Sequence, residues 1–179
     1  KIFVLCDCKT GYVLDILLYT GDQTEIERDT AVGMSGGVVL KLLGKFLSRG
    51  HVLYIDNWYT SPLLARELFL KDTGVCGTVK KRRKHMPNQV NKLNKKDVIF
   101  FSSGNILLTT WMDKREVNML STVHKPVVMK TKSIDYTDNR KRVIWKPECV
   151  IDYNLNMRLV DQSDAMISSI ECARPTMKW

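Results

Sequence analysis

Two aspartates stand where apolar runs end. In KIFVLCDCKTGY the run closes on Asp7, and in HVLYIDNWYTSP it closes on Asp56. A carboxylate at the end of a buried strand is costly unless water, hydrogen bonds or a cation satisfy it. Ligand sites in α/β sheets form outside the carboxyl ends of strands, which is where both residues fall. Two readings follow: Asp7 and Asp56 share a cation, or each caps the turn that it opens, a common task for Asp. Cys6 and Cys8 flank Asp7 in a C-x-C spacing, yet no second Cys or His pair at zinc spacing exists, and His51, His85 and His124 stand apart. The spacing therefore argues against zinc. With Cys76, Cys149 and Cys172 the cysteines number five, scattered and largely in apolar runs. They read as reduced, partly buried thiols of an intracellular protein.

The elements that must position the two carboxylates are legible in the pattern. Apolar runs on either side of Gly11 predict a strand–turn–strand pair, and the polar stretch from Asp22 to Ser35 a loop. Val38, Val39, Leu42, Leu43, Phe46 and Leu47 recur at helical spacing, with Gly50 as the stop. HVLYI predicts a short buried strand, and Ser61 followed by Pro62 starts a helix that ends at Gly74. VCGTVK predicts a further strand. This order is an α/β pattern with a mixed sheet, an antiparallel hairpin followed by crossover connections. Beyond Lys80 the texture turns basic. VIFFSSGNILLTTWMDKREVNMLST predicts a β-meander with turns near Ser102–Asn105 and Asp113–Arg115, and KTKSIDYTDNRKRV a polar loop. KPECVIDYN leads into a last amphipathic stretch, VDQSDAMISSIE.

The net charge of +9 is concentrated in one segment: residues 80–146 carry +12, residues 1–79 carry −1 and residues 147–179 carry −2. A positive potential gathered in one segment favours a polyanion there. Lys80, Lys81, Arg82, Arg83 and Lys84 form its densest run. They are expected to contact phosphate, with a nuclear import signal or a solvated loop as the other readings. Phe100, Phe101 and Trp111 nearby are read as strand core rather than as stacking platforms. No run approaches the length of an apolar membrane span, no signal-peptide pattern opens the chain, and no membrane partner is expected. The chain begins at Lys1 without Met and stops at Trp179 in mid-pattern, so it is read as part of a longer protein.

Five segments, in order, carry a resemblance: LCDCKTGYVLDILLYTG; VLYIDNWYTSPLLARELF; TGVCGTVKKRRKHMP; LLTTWMDKREVNMLSTVH; and KPECVIDYN followed by VDQSD. They resemble the transposase domain of the piggyBac family, whose wording is close to C-D-x-x-x-G-Y, D-N-x-Y-T-S, G-T-x-R/K-x-x-R and V-D-x-x-D-Q. The resemblance spans essentially the whole chain. It implies a ribonuclease-H-like mixed sheet with flanking helices, interrupted by a basic, β-rich insertion. Residues 1–79 then form the first part of the core, 80–150 the insertion, and 151–179 the return to the core.

The resemblance also implies a catalytic triad of Asp7, Asp56 and Asp161, with Asp164 on a further functional position. It implies two Mg2+ ions, for which Mn2+ can substitute, Asp7 bridging them while Asp56 and Asp161 each favour one. Two ions about 3.5–4 Å apart suit phosphodiester hydrolysis and strand transfer, since one sits near the attacking oxygen and one near the leaving oxygen. Double-stranded DNA as partner, a nuclear location, a TTAA target preference and a homodimer of the full-length protein are implied as well. Trp179 falls on the Trp of the family's closing stretch and is read as packing. Arg158 and Leu159 stand where the family has two small residues, and Pro175 where it has Lys. These departures favour the alternative of an inactive or domesticated, transposon-derived DNA-binding protein.

Overall fold

The computed structural model describes residues 2–21, 24, 31–88, 93–135 and 140–157, with the backbone alone for residues 132–135 and 140–142. Strands β1 (Ile2–Cys6) and β2 (Val13–Leu18) form an antiparallel hairpin in which Ile2 pairs with Leu18 and Leu5 with Asp15. The register shifts between Leu5 and Cys6, one residue before Asp7. Such a bulge bends the strand and re-aims the side chains beyond it. Helix α1 (Gly33–Leu43) follows, and its Val38 and Leu42 pack with Phe3 of β1. The helix starts three residues earlier than the apolar spacing alone predicts, and its last turn tightens into a 3-10 turn over Gly44–Phe46.

A five-stranded mixed sheet forms the centre, in the order β3 (Val52–Ile55), β4 (Gly74–Thr78), β7 (Glu116–Ser121), β6 (Ile106–Met112), β5 (Val98–Ser103). Strands β3 and β4 are parallel and joined by helix α2 (Pro62–Leu70); β4, β7, β6 and β5 run antiparallel in turn. The sheet thus crosses residue 80 without a break, because the predicted meander is built onto the edge of β4. Alternation sorts the side chains onto two faces. Leu53, Ile55, Val75, Leu108 and Leu120 meet Leu64, Ala65 and Leu68 of α2 on one face. Cys76, Trp111 and Met119 meet Cys149 and Val150 of α3 (Glu148–Asn156) on the other. Full burial of a leucine such as Leu64 stabilises by about 1.5–3 kcal/mol.

One expectation is corrected. The segment predicted as a polar, basic loop is instead a two-stranded antiparallel ribbon, β8 (Val128–Asp135) with β9 (Arg140–Pro147), in which Lys130 pairs with Trp145 and Lys132 with Val143. A ribbon can leave both of its faces open to water, so it needs no apolar alternation to form. Among the described residues no helix is long and apolar enough to cross a membrane.

Candidate functional site

Asp7 lies at the end of β1, and the turn after it closes on its carboxylate. Thr10 Oγ1 donates to Asp7 Oδ2 at 2.5 Å and Thr10 N to the same oxygen at 2.9 Å, while Gly11, at a φ of +72°, returns the chain to β2. The Thr10 hydroxyl, and after it the Thr10 amide, hold the Asp7 carboxyl below the usual carboxylate range. Asp7 is therefore ionised at neutral pH. Burial, with the Asp7 charge second, pushes the neighbouring Cys8 thiol up.

Asp56 lies one residue beyond β3, and the D-N-W-Y-T-S wording that follows is a compact series of local bonds. Trp58 N donates to Asp56 Oδ1 at 2.9 Å, and Thr60 Oγ1 to the Asp56 carbonyl at 2.7 Å. Ser61 Oγ then caps α2 by accepting from Leu64 N at 3.2 Å, with Pro62 in the first helical turn. Both aspartates thus cap their turns, and these bonds engage one oxygen of each carboxylate. The turn-cap and cation readings are compatible, because a carboxylate has a second oxygen to offer. Carboxylate oxygen is the donor type that suits a hard divalent cation.

An aromatic contact joins β1 to the turn after Asp56. Phe3 of β1 stacks on Trp58 at 5.5 Å between ring centroids and meets Tyr59 edge-on at 6.2 Å. The turn after Asp56 is also pinned from below. Gly77 pairs with Ile55 across β3 and β4, and a Cβ on Gly77 would stand 2.4 Å from Thr60 Oγ1 and 2.5 Å from the Ile55 carbonyl oxygen. Only glycine lets β4 approach this closely. Gly77→Ala is expected to destabilise the protein by about 1–3 kcal/mol through overpacking against backbone. Thermal unfolding checks this, and an unchanged melting temperature would refute it.

The basic run divides. Arg83 is turned inward: its Nε donates to the Thr60 carbonyl at 2.9 Å, and its guanidinium also donates to the carbonyl of Trp58. Lys81 Nζ pairs with Glu116 Oε2 at 2.8 Å. Lys80, Arg82 and Lys84 are the solvent-facing members, and all three are exposed. Trp111 is buried in the α3-side core and Phe100 is half-buried, whereas Phe101 is 36 % exposed. Asp161, Asp164, Arg158, Leu159, Pro175 and Trp179 lie outside the described residues. Among the described residues no group of three or more His, Cys, Asp and Glu is gathered as a metal site.

Sequence reasoning passed over a second polar cluster. Tyr54 Oη donates to Asp152 Oδ2 at 2.5 Å, His124 Nε2 lies 3.1 Å from the same oxygen, and His124 Nδ1 lies 2.8 Å from Ser121 Oγ. Burial, then the bond to Asp152, pushes the Tyr54 phenol well above its ordinary value. The only signal in the sequence is polar residues set inside otherwise apolar strand and helix patterns.

Residues 1–179 match the family described as Transposase IS4. The chain belongs to this family of DDE transposase domains. Among solved structures, the chain is similar to the piggyBac transposase of a cryo-EM synaptic complex with hairpin DNA, at 25% sequence identity and a TM-score of 0.75. The match covers 99% of this chain and 36% of that one, so the chain spans about a third of the length of that transposase. The mixed α/β architecture, a five-stranded sheet with flanking helices, is that of an IS4-family DDE domain related to piggyBac transposase.

Proposed function

We propose that the chain is the ribonuclease-H-like catalytic core of a piggyBac-type DNA transposase. In this reading Asp7, Asp56 and Asp161, with Asp164 beside them, hold two Mg2+ ions, or Mn2+ in their place, for hydrolysis and strand transfer on double-stranded DNA. The observation that carries it is the placement of Asp7 and Asp56 at the ends of β1 and β3, each in a turn that fixes one carboxylate oxygen. Divalent ions, when bound, supply charge to stabilise the attacking and leaving oxygens of the scissile phosphate. The chain's own residues do the positioning. Thr10 orients Asp7, and the Trp58 amide orients Asp56. Arg83 holds the turn after Asp56 by its carbonyls, and Lys80, Arg82 and Lys84 offer cations to the DNA backbone. Residues 80–150 act as a basic insertion whose first strands extend the core sheet, and 151–179 return to the core. A nuclear location and a homodimer of the whole protein complete the proposal.

Metal binding tests it. A ligand at 100 times its dissociation constant stabilises by about 2.7 kcal/mol. For a domain of this size that raises the melting temperature by about 5–10 °C. Saturating Mn2+ is expected to produce such a shift in the wild type and none in Asp56→Asn. The same shift in both would remove Asp56 from the ligand set. Arg158 and Leu159, in place of the small residues of the piggyBac wording, favour a second reading: a domesticated protein that binds DNA without catalysis. DNA binding without any Asp56-dependent Mn2+ shift would select that reading.

A further inference from the structure

Ser121, His124 and Asp152 stand in the order of a nucleophile relay, and burial excludes that use. Ser121 is 1% exposed, and its Oγ already accepts from the amides of Val123 at 3.2 Å and His124 at 3.3 Å. A hydroxyl so enclosed has no path to a substrate carbonyl or phosphate. The contacts do join distant parts of the chain. Tyr54 lies on β3, two residues before Asp56, and its ring packs into the Cys76–Trp111–Met119 cluster. Ser121 ends β7 and His124 lies in the connection to β8, with its side chain 8% exposed. Asp152 sits in the middle of α3, and Asn156 caps it further by donating from Nδ2 to Oδ1 at 3.1 Å.

Packing alone does not call for this arrangement. Phenylalanine at 54 and an apolar residue at 152 would fill the same space without burying polar groups that must then be paired. The contacts instead fix direction. A carboxylate receiving a phenol, an imidazole and an amide has one position, whereas an apolar contact can slide. Asp161 follows α3 by five residues in the sequence.

We propose that Asp152 is a positioning residue of the carboxylate site: held by Tyr54 and His124, it fixes α3 against the strand end that carries Asp56. This rests on the metal reading above, so the test has one arm that depends on metal and one that does not. Tyr54→Phe removes the phenol oxygen and keeps the ring; Asp152→Asn removes the charge. Each is expected to weaken Mn2+ binding, measured by titrating the free-ion EPR signal, by up to about tenfold, less than loss of a group bonded directly to a metal ligand, because neither residue touches Asp7 or Asp56. The double variant is expected to lose no more than the worse single one, because both act through one contact. In EDTA, amide exchange in the Asn57–Thr60 turn is expected to quicken about tenfold in each variant. A purely structural Asp152 would quicken exchange in α3 and leave both the turn and the Mn2+ affinity unchanged, and that result overturns the proposal. If the wild type binds no Mn2+ through Asp56, the metal reading fails, and exchange in the turn alone decides the positioning role. Should Asp152→Asn fail to fold, Tyr54→Phe carries both arms.

Discussion

Asp7→Asn and Asp56→Asn, assayed in the whole protein that carries this chain, are each expected to lower Mg2+-dependent strand cleavage by about a thousandfold or more. The size follows from the charge stabilisation that a divalent ion supplies, several kcal/mol, with each 1.36 kcal/mol worth about tenfold in rate. Asparagine is the informative substitution because it separates the two roles of these residues. Its amide oxygen can still accept from Thr10 N and Oγ1 at position 7, or from Trp58 N at position 56, so the turns survive. The melting temperature in EDTA should therefore move little, as for exposed substitutions that keep their contacts. The double variant should be no slower than either single one, since groups that act as a unit are not additive. Full cleavage by either variant would leave that aspartate as a turn cap and nothing more.

Local wording was the most legible part of this fold. Ser61 and Pro62 announce the start of α2, and the hydroxyl makes the capping bond that the pair predicts. The apolar runs of β6 and β7 and their turns were equally plain, because both faces of these strands meet a core. The ribbon of β8 and β9 was not, since its Lys, Thr, Ser and Asp residues mask strand periodicity. Sheet order was also hidden. Nothing local in residues 116–121 says that they pair with β4, because that pairing is a matter of long-range packing. The Tyr54–Asp152 contact spans 98 residues, and neither residue type announces a partner at that distance. At the site, the positions of Asp7 and Asp56 at strand ends could be read from apolar runs alone. The identity of a third ligand rests on the resemblance of VDQSD to the piggyBac wording.

Within the basic run the structure predicts two different outcomes where the sequence offers one. Lys80→Ala, Arg82→Ala and Lys84→Ala together are expected to weaken binding to unrelated duplexes alike, because contacts to the backbone carry no base information. Each cation that contacts a phosphate contributes about 0.9 to the slope of log affinity against log salt, so the triple variant should flatten that slope by up to about 2.7. Its melting temperature should stay close to that of the wild type, since none of the three side chains is buried. Arg83→Ala should behave otherwise. It removes the donors to the Thr60 and Trp58 carbonyls, and charged hydrogen bonds of this kind contribute about 1.5–3 kcal/mol. The expected result is a lower melting temperature and loss of Asp56-dependent Mn2+ stabilisation. Arg83→Lys should fail to rescue it, because a single ammonium cannot reproduce the planar fork that reaches two carbonyls. Lys81→Ala should do least, since its pair with Glu116 is a surface ion pair worth about 0–1 kcal/mol. A salt-titrated binding curve and a thermal melt for each variant are sufficient. If Arg83→Ala flattens the salt slope while the melt and the Mn2+ response hold, Arg83 contacts DNA and does not support the Asp56 turn. Equal slopes for the wild type and the triple variant would free this run from DNA contact altogether and leave import or solvation as its role.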